Sequence, residues 1–228
     1  MTVDFANRLQ AVQARIRAAE VQFGRPSGSV GLLAVSKTHS AADIAAVAAT
    51  GHRCFGENYW QEAADKLPTL AAFNLEWHFI GPLQANKTRS IAEQFAWVHS
   101  VDRLKIAERL SEQRPLELPP LNVCLQVNVS AEPSKHGVDE GALTAIAHAV
   151  AALPRLRLRG LMAIPAPATD FAAQRRPLAR LRELQNKLIA DGLPLDTLSM
   201  GMSDDLEAAI AEGSTWVRVG TAIFGPRA

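Results

Sequence analysis

Cysteine is scarce: 228 residues carry only Cys54 and Cys124, each inside an apolar segment, Arg53-Cys54-Phe55 and Val123-Cys124-Leu125. That excludes a disulfide framework and fits thiols packed as small hydrophobes in a reducing compartment. Charge of one sign is equally scarce. Twenty-four Lys plus Arg against twenty-three Asp plus Glu leave a net charge of +1, with no run of five like charges. Nothing there attracts nucleic acid or anionic lipid, and a small-molecule partner is expected instead. No continuous apolar stretch reaches membrane-spanning length. The N-terminal residues 1–23 intersperse Arg8, Arg15 and Arg17 among apolar positions, so neither a signal peptide nor a span is expected, and a cytoplasmic protein is. Six histidines and many carboxylates form no HExxH or paired CxxC spacing, so no metal site is expected. GxSxG, P-loop and GxGxxG patterns are missing too.

What the chain does have is rhythm. Phe5, Leu9, Val12, Ile16, Ala19 and Phe23 step by threes and fours, the stripe of an opening helix ended by Gly24 and Pro26. Eight short apolar runs then recur at 30–36, 53–55, 75–80, 95–99, 121–129, 156–164, 195–200 and 216–219. Helical stretches separate them at 40–50, 57–67, 84–93, 102–113, 139–152, 171–190 and 204–211. Runs apolar along their whole length suit strands covered on both faces, and alternation with helices makes the sheet parallel. Eight such units close into a (β/α)8 TIM barrel with an extra N-terminal helix; an open doubly wound sheet is the alternative that periodicity leaves standing. Pro177 is expected to break the seventh helix or delay its start, because an interior proline costs about 3 kcal/mol. No linker or repeat marks a second domain, so residues 1–228 are expected to form one.

In such a barrel the active site lies at the C-terminal ends of the strands. The first strand ends in Ser36-Lys37-Thr38, and alternation places Leu33, Val35 and Lys37 on one face. If that face is the inner one, a partly desolvated Lys37 sits at the barrel mouth, where its neutral amine can condense with an aldehyde. A snorkelling lysine is the plainer reading. On the eighth strand Trp216, Arg218 and Gly220 share one face and two valines the other, so either the arginine or both valines point inward. An inward arginine needs an acceptor, from a carboxylate or from a ligand. The seventh strand runs into Gly201-Met202-Ser203-Asp204-Asp205 and the eighth into Gly220-Thr221-Ala222, turns of small residues where barrels commonly bind phosphate. Ordinary helix capping by Asp204 and Asp205 would use the same residues without a ligand. The remaining strand ends carry Asn58, His78, Asn128, Met162 and the stretch Ser134-Lys135-His136-Gly137.

Taken together, Ala34-Val35-Ser36-Lys37, Phe55-Gly56-Glu57-Asn58-Tyr59, the run from Trp77 to Lys87 (WHFIGPLQANK), Gly160-Leu161-Met162-Ala163-Ile164, the run from Leu198 to Asp205 (LSMGMSDD) and the run from Val217 to Gly225 (VRVGTAIFG) resemble one family over nearly the whole chain. This is the family of pyridoxal-phosphate homeostasis proteins, single-domain relatives of the alanine racemase barrel. The resemblance implies an alanine racemase N-terminal-domain-like fold and pyridoxal 5'-phosphate (PLP) as cofactor. It implies a Schiff base on Lys37, a phosphate held by Ser203, Gly220 and Thr221, Arg218 facing the pyridine nitrogen, Asn58 and Met162 near the ring, and Lys135 near the phenolic oxygen. Trp60, where a smaller aliphatic residue is expected, and Pro177 depart from the family pattern.

The function implied is a non-catalytic one, buffering or delivering PLP in the cell, with no catalytic residues and with apo-enzymes as transient partners. An amino-acid racemase is the first alternative. It needs an acid/base group on each face of the substrate, and the racemase takes its second from a tyrosine of a partner's separate β domain. Here the single tyrosine is Tyr59, and the sequence ends three residues after Gly225. Without that second domain a monomer is expected. A Schiff-base phosphosugar aldolase is the other alternative, since barrels with a strand-end lysine and a phosphate site also serve that chemistry.

Overall fold

The computed structural model describes residues 4–130 and 136–225. The opening helix α1 (Phe5–Gln22) starts where the Asp4 side chain accepts from the Asn7 N–H, and it buries Leu9, Val12, Ile16 and Ala19. It packs against the last two helices of the chain. Eight strands follow: β1 (Gly31–Val35), β2 (Cys54–Glu57), β3 (Glu76–Phe79), β4 (Trp97–Val101), β5 (Leu121–Gln126), β6 (Leu156–Met162), β7 (Thr197–Ser199) and β8 (Trp216–Val219). They alternate with α2 (Ala41–Ala49), α3 (Trp60–Thr69), α4 (Thr88–Gln94), α5 (Leu104–Gln113), α6 (Glu140–Ala151), α7 (Phe171–Ala190) and α8 (Leu206–Ala211), and a last short turn, α9 (Thr221–Phe224), follows β8.

All neighbouring strands are parallel, and β1 pairs with β8 over Gly31↔Trp216 to Ala34↔Val219. The sheet is therefore a closed barrel in the order β1 to β8, and the open-sheet alternative is excluded. Closure settles which face of each strand looks inward. Leu32, Ala34, Phe55, Phe79, Val98, Val123, Leu125, Leu161, Val217 and Val219 join the apolar layer between sheet and helices. Leu33 and Val35 pack with Ile80 and Trp216 inside the barrel, and Trp97, Cys124 and Met162 form a second interior group.

The expected break at Pro177 does not occur: α7 runs unbroken for 20 residues. Its start is secured upstream, where the Asp170 side chain accepts from Ala173 N–H. Leu178, Leu181, Leu184 and Leu188 then bury one continuous face. Each buried leucine is worth about 1.5–3 kcal/mol, so four of them outweigh the roughly 3 kcal/mol of one proline.

Candidate functional site

At the C-terminal mouth of the barrel a cavity of about 560 Å³ is lined by residues of β1 and β8, by residues following β1, β2, β3, β6, β7 and β8, and by Arg15 of α1. Lys37 enters it from the end of β1. Its neighbour Thr38 holds φ at 66°, a left-handed conformation that is unusual for a β-branched residue. Contacts on both sides hold this turn. The Thr38 N–H donates to Glu62 Oε2 at 2.7 Å. Behind Ser36, the Glu57 carboxylate accepts from Ser36 Oγ at 2.7 Å and pairs with Lys66 Nζ at 2.9 Å, and the same ammonium donates to the Ser36 carbonyl at 3.0 Å. Burial raises the Glu57 carboxyl above its ordinary value, opposed by Lys66. A buried ion pair thus clamps the backbone immediately before Lys37.

Asn58 follows Glu57 at the end of β2 and lines the same cavity. Its Oδ1 is buried without a hydrogen-bond partner, an acceptor left for a ligand. The Asn58 backbone lies so close to β3's exit that a side chain at Gly81 would collide with the Asn58 carbonyl.

Ser203, Gly220 and Thr221 line the same cavity. The Ser203 turn is tied to α1: Arg15 Nη2 donates to the Ser203 carbonyl at 3.1 Å, while Arg15 Nε bonds Glu207 at 3.0 Å. Asp205, one expected cap, turns back to accept from the Met202 N–H at 2.6 Å, and α8 has no side-chain cap. Gly220 passes so near β1 that an added Cβ would stand 3.2 Å from the Val35 carbonyl oxygen. That close approach brings the Thr221 turn beside Lys37.

Arg218 forms the cavity floor. Of the two orientations alternation allows, the inward one is found: the valines on either side are buried in the outer layer, and the guanidinium donates to Ser199 Oγ at 2.8 Å and to the Ala163 carbonyl at 3.0 Å. Burial lowers its pKa to about 10, opposed by Asp205, which leaves it charged at neutral pH.

Six of the seven expected binding residues, Lys37, Asn58, Ser203, Arg218, Gly220 and Thr221, therefore line one cavity. Met162 does not; it is fully buried in the barrel with Trp97 and Cys124. Lys135 and Ser134 lie outside the described residues. The cavity also takes in Arg15, Val35, Ile80, Ile164, Met202, Asp204 and Ala222. Of these, Ile80 could have been anticipated from strand alternation, whereas Arg15 belongs to a helix that nothing in the sequence ties to the strand ends.

Deeper in the barrel Glu76, His78, His99 and Ser199 come together, a set of which the sequence offered only His78 as a strand-end residue. His78 Nε2 lies 2.9 Å from Glu76 Oε1, His78 Nδ1 lies 2.9 Å from His99 Nε2, and His99 Nδ1 lies 2.7 Å from Ser199 Oγ. Desolvation lowers both imidazoles below their ordinary value. At the far end Cys54 Sγ lies 3.8 Å from Glu76 Oε1, its thiol pushed up to about 12 by burial. Cys54, Glu76 and His78 are the one grouping of potential metal-binding side chains among the described residues, with the relevant atoms within 4.8 Å of each other. Here they are engaged with one another.

The comparisons with known proteins agree with this architecture. Residues 8–228 match the alanine racemase N-terminal domain family. The pyridoxal phosphate homeostasis protein of Pseudomonas aeruginosa is 64% identical over 222 residues, covering 97% of this chain and 95% of that protein. Its Escherichia coli counterpart is 53% identical, covering 98% and 97%. Among solved structures, PipY of Synechococcus elongatus with PLP bound superposes with a TM-score of 0.87 at 39% identity, covering 97% of this chain and all of that one. The alanine racemase of Corynebacterium glutamicum shares the fold, with a TM-score of 0.70 at 19% identity, over 60% of its length. The chain belongs to the alanine racemase N-terminal domain family and, within it, to the pyridoxal phosphate homeostasis proteins.

Proposed function

We propose that this protein binds PLP in the Lys37 cavity and serves to hold and hand on the cofactor rather than to turn over a substrate. The observation that carries the reading is the convergence in one cavity of the Lys37 amine after β1, the Ser203 hydroxyl after β7, and the Arg218 guanidinium with the Gly220-Thr221 turn at the end of β8. The donor set fits the cofactor. Lys37 Nζ supplies the amine for a Schiff base with its aldehyde. Ser203 and the Gly220-Thr221 turn offer hydroxyls and backbone N–H groups to its phosphate. The unpartnered Asn58 Oδ1 offers an acceptor beside the ring. When bound, PLP supplies an electron sink for carbanions at an amino-acid Cα. Arg218 weakens that capacity: a guanidinium charged at neutral pH keeps the ring nitrogen unprotonated.

A racemase reading needs a second acid/base group facing Lys37 across the cavity. No tyrosine is among the residues lining it; Tyr59 is half exposed and lines a neighbouring pocket. This supports the carrier reading, in a cytoplasmic, single-domain monomer that meets apo-enzymes transiently. No helix among the described residues is long and apolar enough to cross a membrane.

The test is the absorption spectrum of purified protein with PLP, for wild type and Lys37→Ala, before and after borohydride. A visible band in wild type that borohydride traps and the variant lacks is the expected outcome; identical spectra overturn the reading and favour the phosphosugar aldolase. Formation of D-alanine from L-alanine at about one turnover per second or faster, within the ordinary enzymatic range, overturns the carrier role.

A further inference from the structure

We infer that Ser199, His99, His78 and Glu76 form a one-way hydrogen-bond chain through the barrel interior that positions Arg218 for the ring of the bound cofactor. The inference rests on the proposed PLP site for its purpose, but the chain itself follows from which atoms can donate.

The two ends fix the direction. Arginine only donates, so Ser199 Oγ accepts from Arg218 Nη1 at 2.8 Å. An ionised carboxylate only accepts, and the hydrogen bond from His78 lowers the Glu76 carboxyl. His78 must then carry its proton on Nε2, 2.9 Å from Glu76 Oε1. A neutral His78 leaves Nδ1 bare, so across the 2.9 Å separation His99 donates through Nε2–H. A neutral His99 in turn leaves its Nδ1 to accept the Ser199 hydroxyl proton at 2.7 Å. Within the chain every donor meets one acceptor, and every N–H and O–H points from Arg218 towards Glu76. Switching the tautomer of one ring alone sets two donors or two bare nitrogens face to face across the His78–His99 contact, and switching both leaves His78 Nε2 bare against the Glu76 carboxylate.

The surroundings keep the chain dry. His78 stacks on Trp97 with ring centroids 5.5 Å apart and an interplanar angle of 3°, and Trp216 packs against both rings, 5.0 Å from His78 and 6.2 Å from Trp97. His78, His99 and Ser199 are fully buried. In a dry interior, aligned hydrogen bonds polarise one another, and an unmade one is costly. Ser199 and the Ala163 carbonyl thus take two of the guanidinium's five N–H groups and set its plane, leaving the others to meet a ligand in the cavity above. The chain ends at the opposite mouth of the barrel, where the Glu76 side chain is 44% exposed. Its members touch neither the proposed cofactor nor a substrate; they are positioning residues.

Two-bond 1H–15N correlation NMR on the unliganded wild-type protein tests the chain directly. Both His78 and His99, assigned with His78→Gln and His99→Gln, are expected to be neutral and protonated on Nε2. A proton on Nδ1 of either ring, or a doubly protonated ring, overturns the inference. Positioning is read on Arg218 itself: its two Nη resonances should be distinct in wild type, collapse in Ser199→Ala and separate again in Ser199→Thr. With PLP present, Ser199→Ala should release the cofactor on the order of tenfold faster, the equivalent of one lost hydrogen bond of about 1.4 kcal/mol, with a shifted absorption maximum, and Ser199→Thr should restore both. Wild-type behaviour of Ser199→Ala in the Arg218 resonances overturns the positioning role. Failure of wild type to take up PLP would overturn the cofactor site alone, because the tautomers and the Arg218 resonances are read without it.

Discussion

The two faces of the barrel wall are both largely buried, yet they distribute their polar groups differently. The outer face, under the helices, is a layer of aliphatic and aromatic side chains, among them Phe55, Phe79, Leu121, Leu125 and Leu161, each at most 1% exposed. The inner face sets Glu76, His78, His99, Ser199 and Arg218 beside the two apolar groups built around Trp97 and Trp216. Non-directional packing suffices outside, where stability scales with apolar area removed from water. Inside, each polar group has to find a partner of the right sense, because an unpaired one costs more than the bond returns. The outer layer makes the barrel stable, and the inner one makes it specific.

That contrast can be broken from either side. The largest effect is expected where the outer layer itself holds a charge: Lys66→Met leaves the Glu57 carboxylate buried and unpaired and should cost about 3–5 kcal/mol in denaturant unfolding. The double variant Glu57→Leu with Lys66→Met should recover most of that, while freeing the Ser36-Lys37 backbone and so weakening PLP uptake. Next, Leu125→Ala in the aliphatic layer should cost about 2–5 kcal/mol through lost burial and a cavity, with little change in PLP binding.

The inner face should reveal itself through pH. Burial holds His78 and His99 below 6.5 in the folded state, so the unfolded chain takes up protons that the barrel refuses. Their contribution is complete above about pH 6.5 and is lost as pH falls from there towards the folded values, with a slope of up to about 1.4 kcal/mol per pH unit for each ring. Glu57, raised by burial, works in the opposite sense, its contribution present below about pH 4.5 and lost as pH rises. The difference in unfolding midpoint between wild type and His99→Phe across pH 7.5 to 5.5 isolates the histidine part; a difference that does not narrow on acidification would remove it. Smallest of all is the exposed Arg180–Glu140 pair between α7 and α6, where Arg180→Ala should leave the midpoint unchanged within error.

Much of this fold is legible in the sequence because both periodicities are clean. The stripe Leu9, Val12, Ile16, Ala19 marks α1, and each of the eight apolar runs overlaps one strand, with β2 and β4 extending two residues beyond theirs. Boundaries drift where the same residues serve two purposes: α3 begins at Trp60 rather than residue 57, since Glu57 still belongs to β2. Pro177 misleads because local propensity is weaker than four buried leucines on one face. Of the cavity, Lys37 and Arg218 could be nominated from strand ends and alternation, and the small-residue turns from their position. Met162 could not be separated from them by the same logic, since being on the inner face does not say how deep in the barrel a side chain sits.

Alternation along a strand tells which side chains share a face, and the order of β and α units tells that the sheet is parallel; both are local, and both are in the sequence. Which face turns inward, and which inward residues meet, depends on closing β8 onto β1. His99 and Ser199 stand 100 residues apart, and Arg15 and Ser203 188 apart, yet each pair is within hydrogen-bond reach. Only the strand register and the seating of α1 bring them together. A periodicity of two fixes a direction for each side chain, whereas a hydrogen bond requires a position in space, and that is set by the packing of the whole barrel.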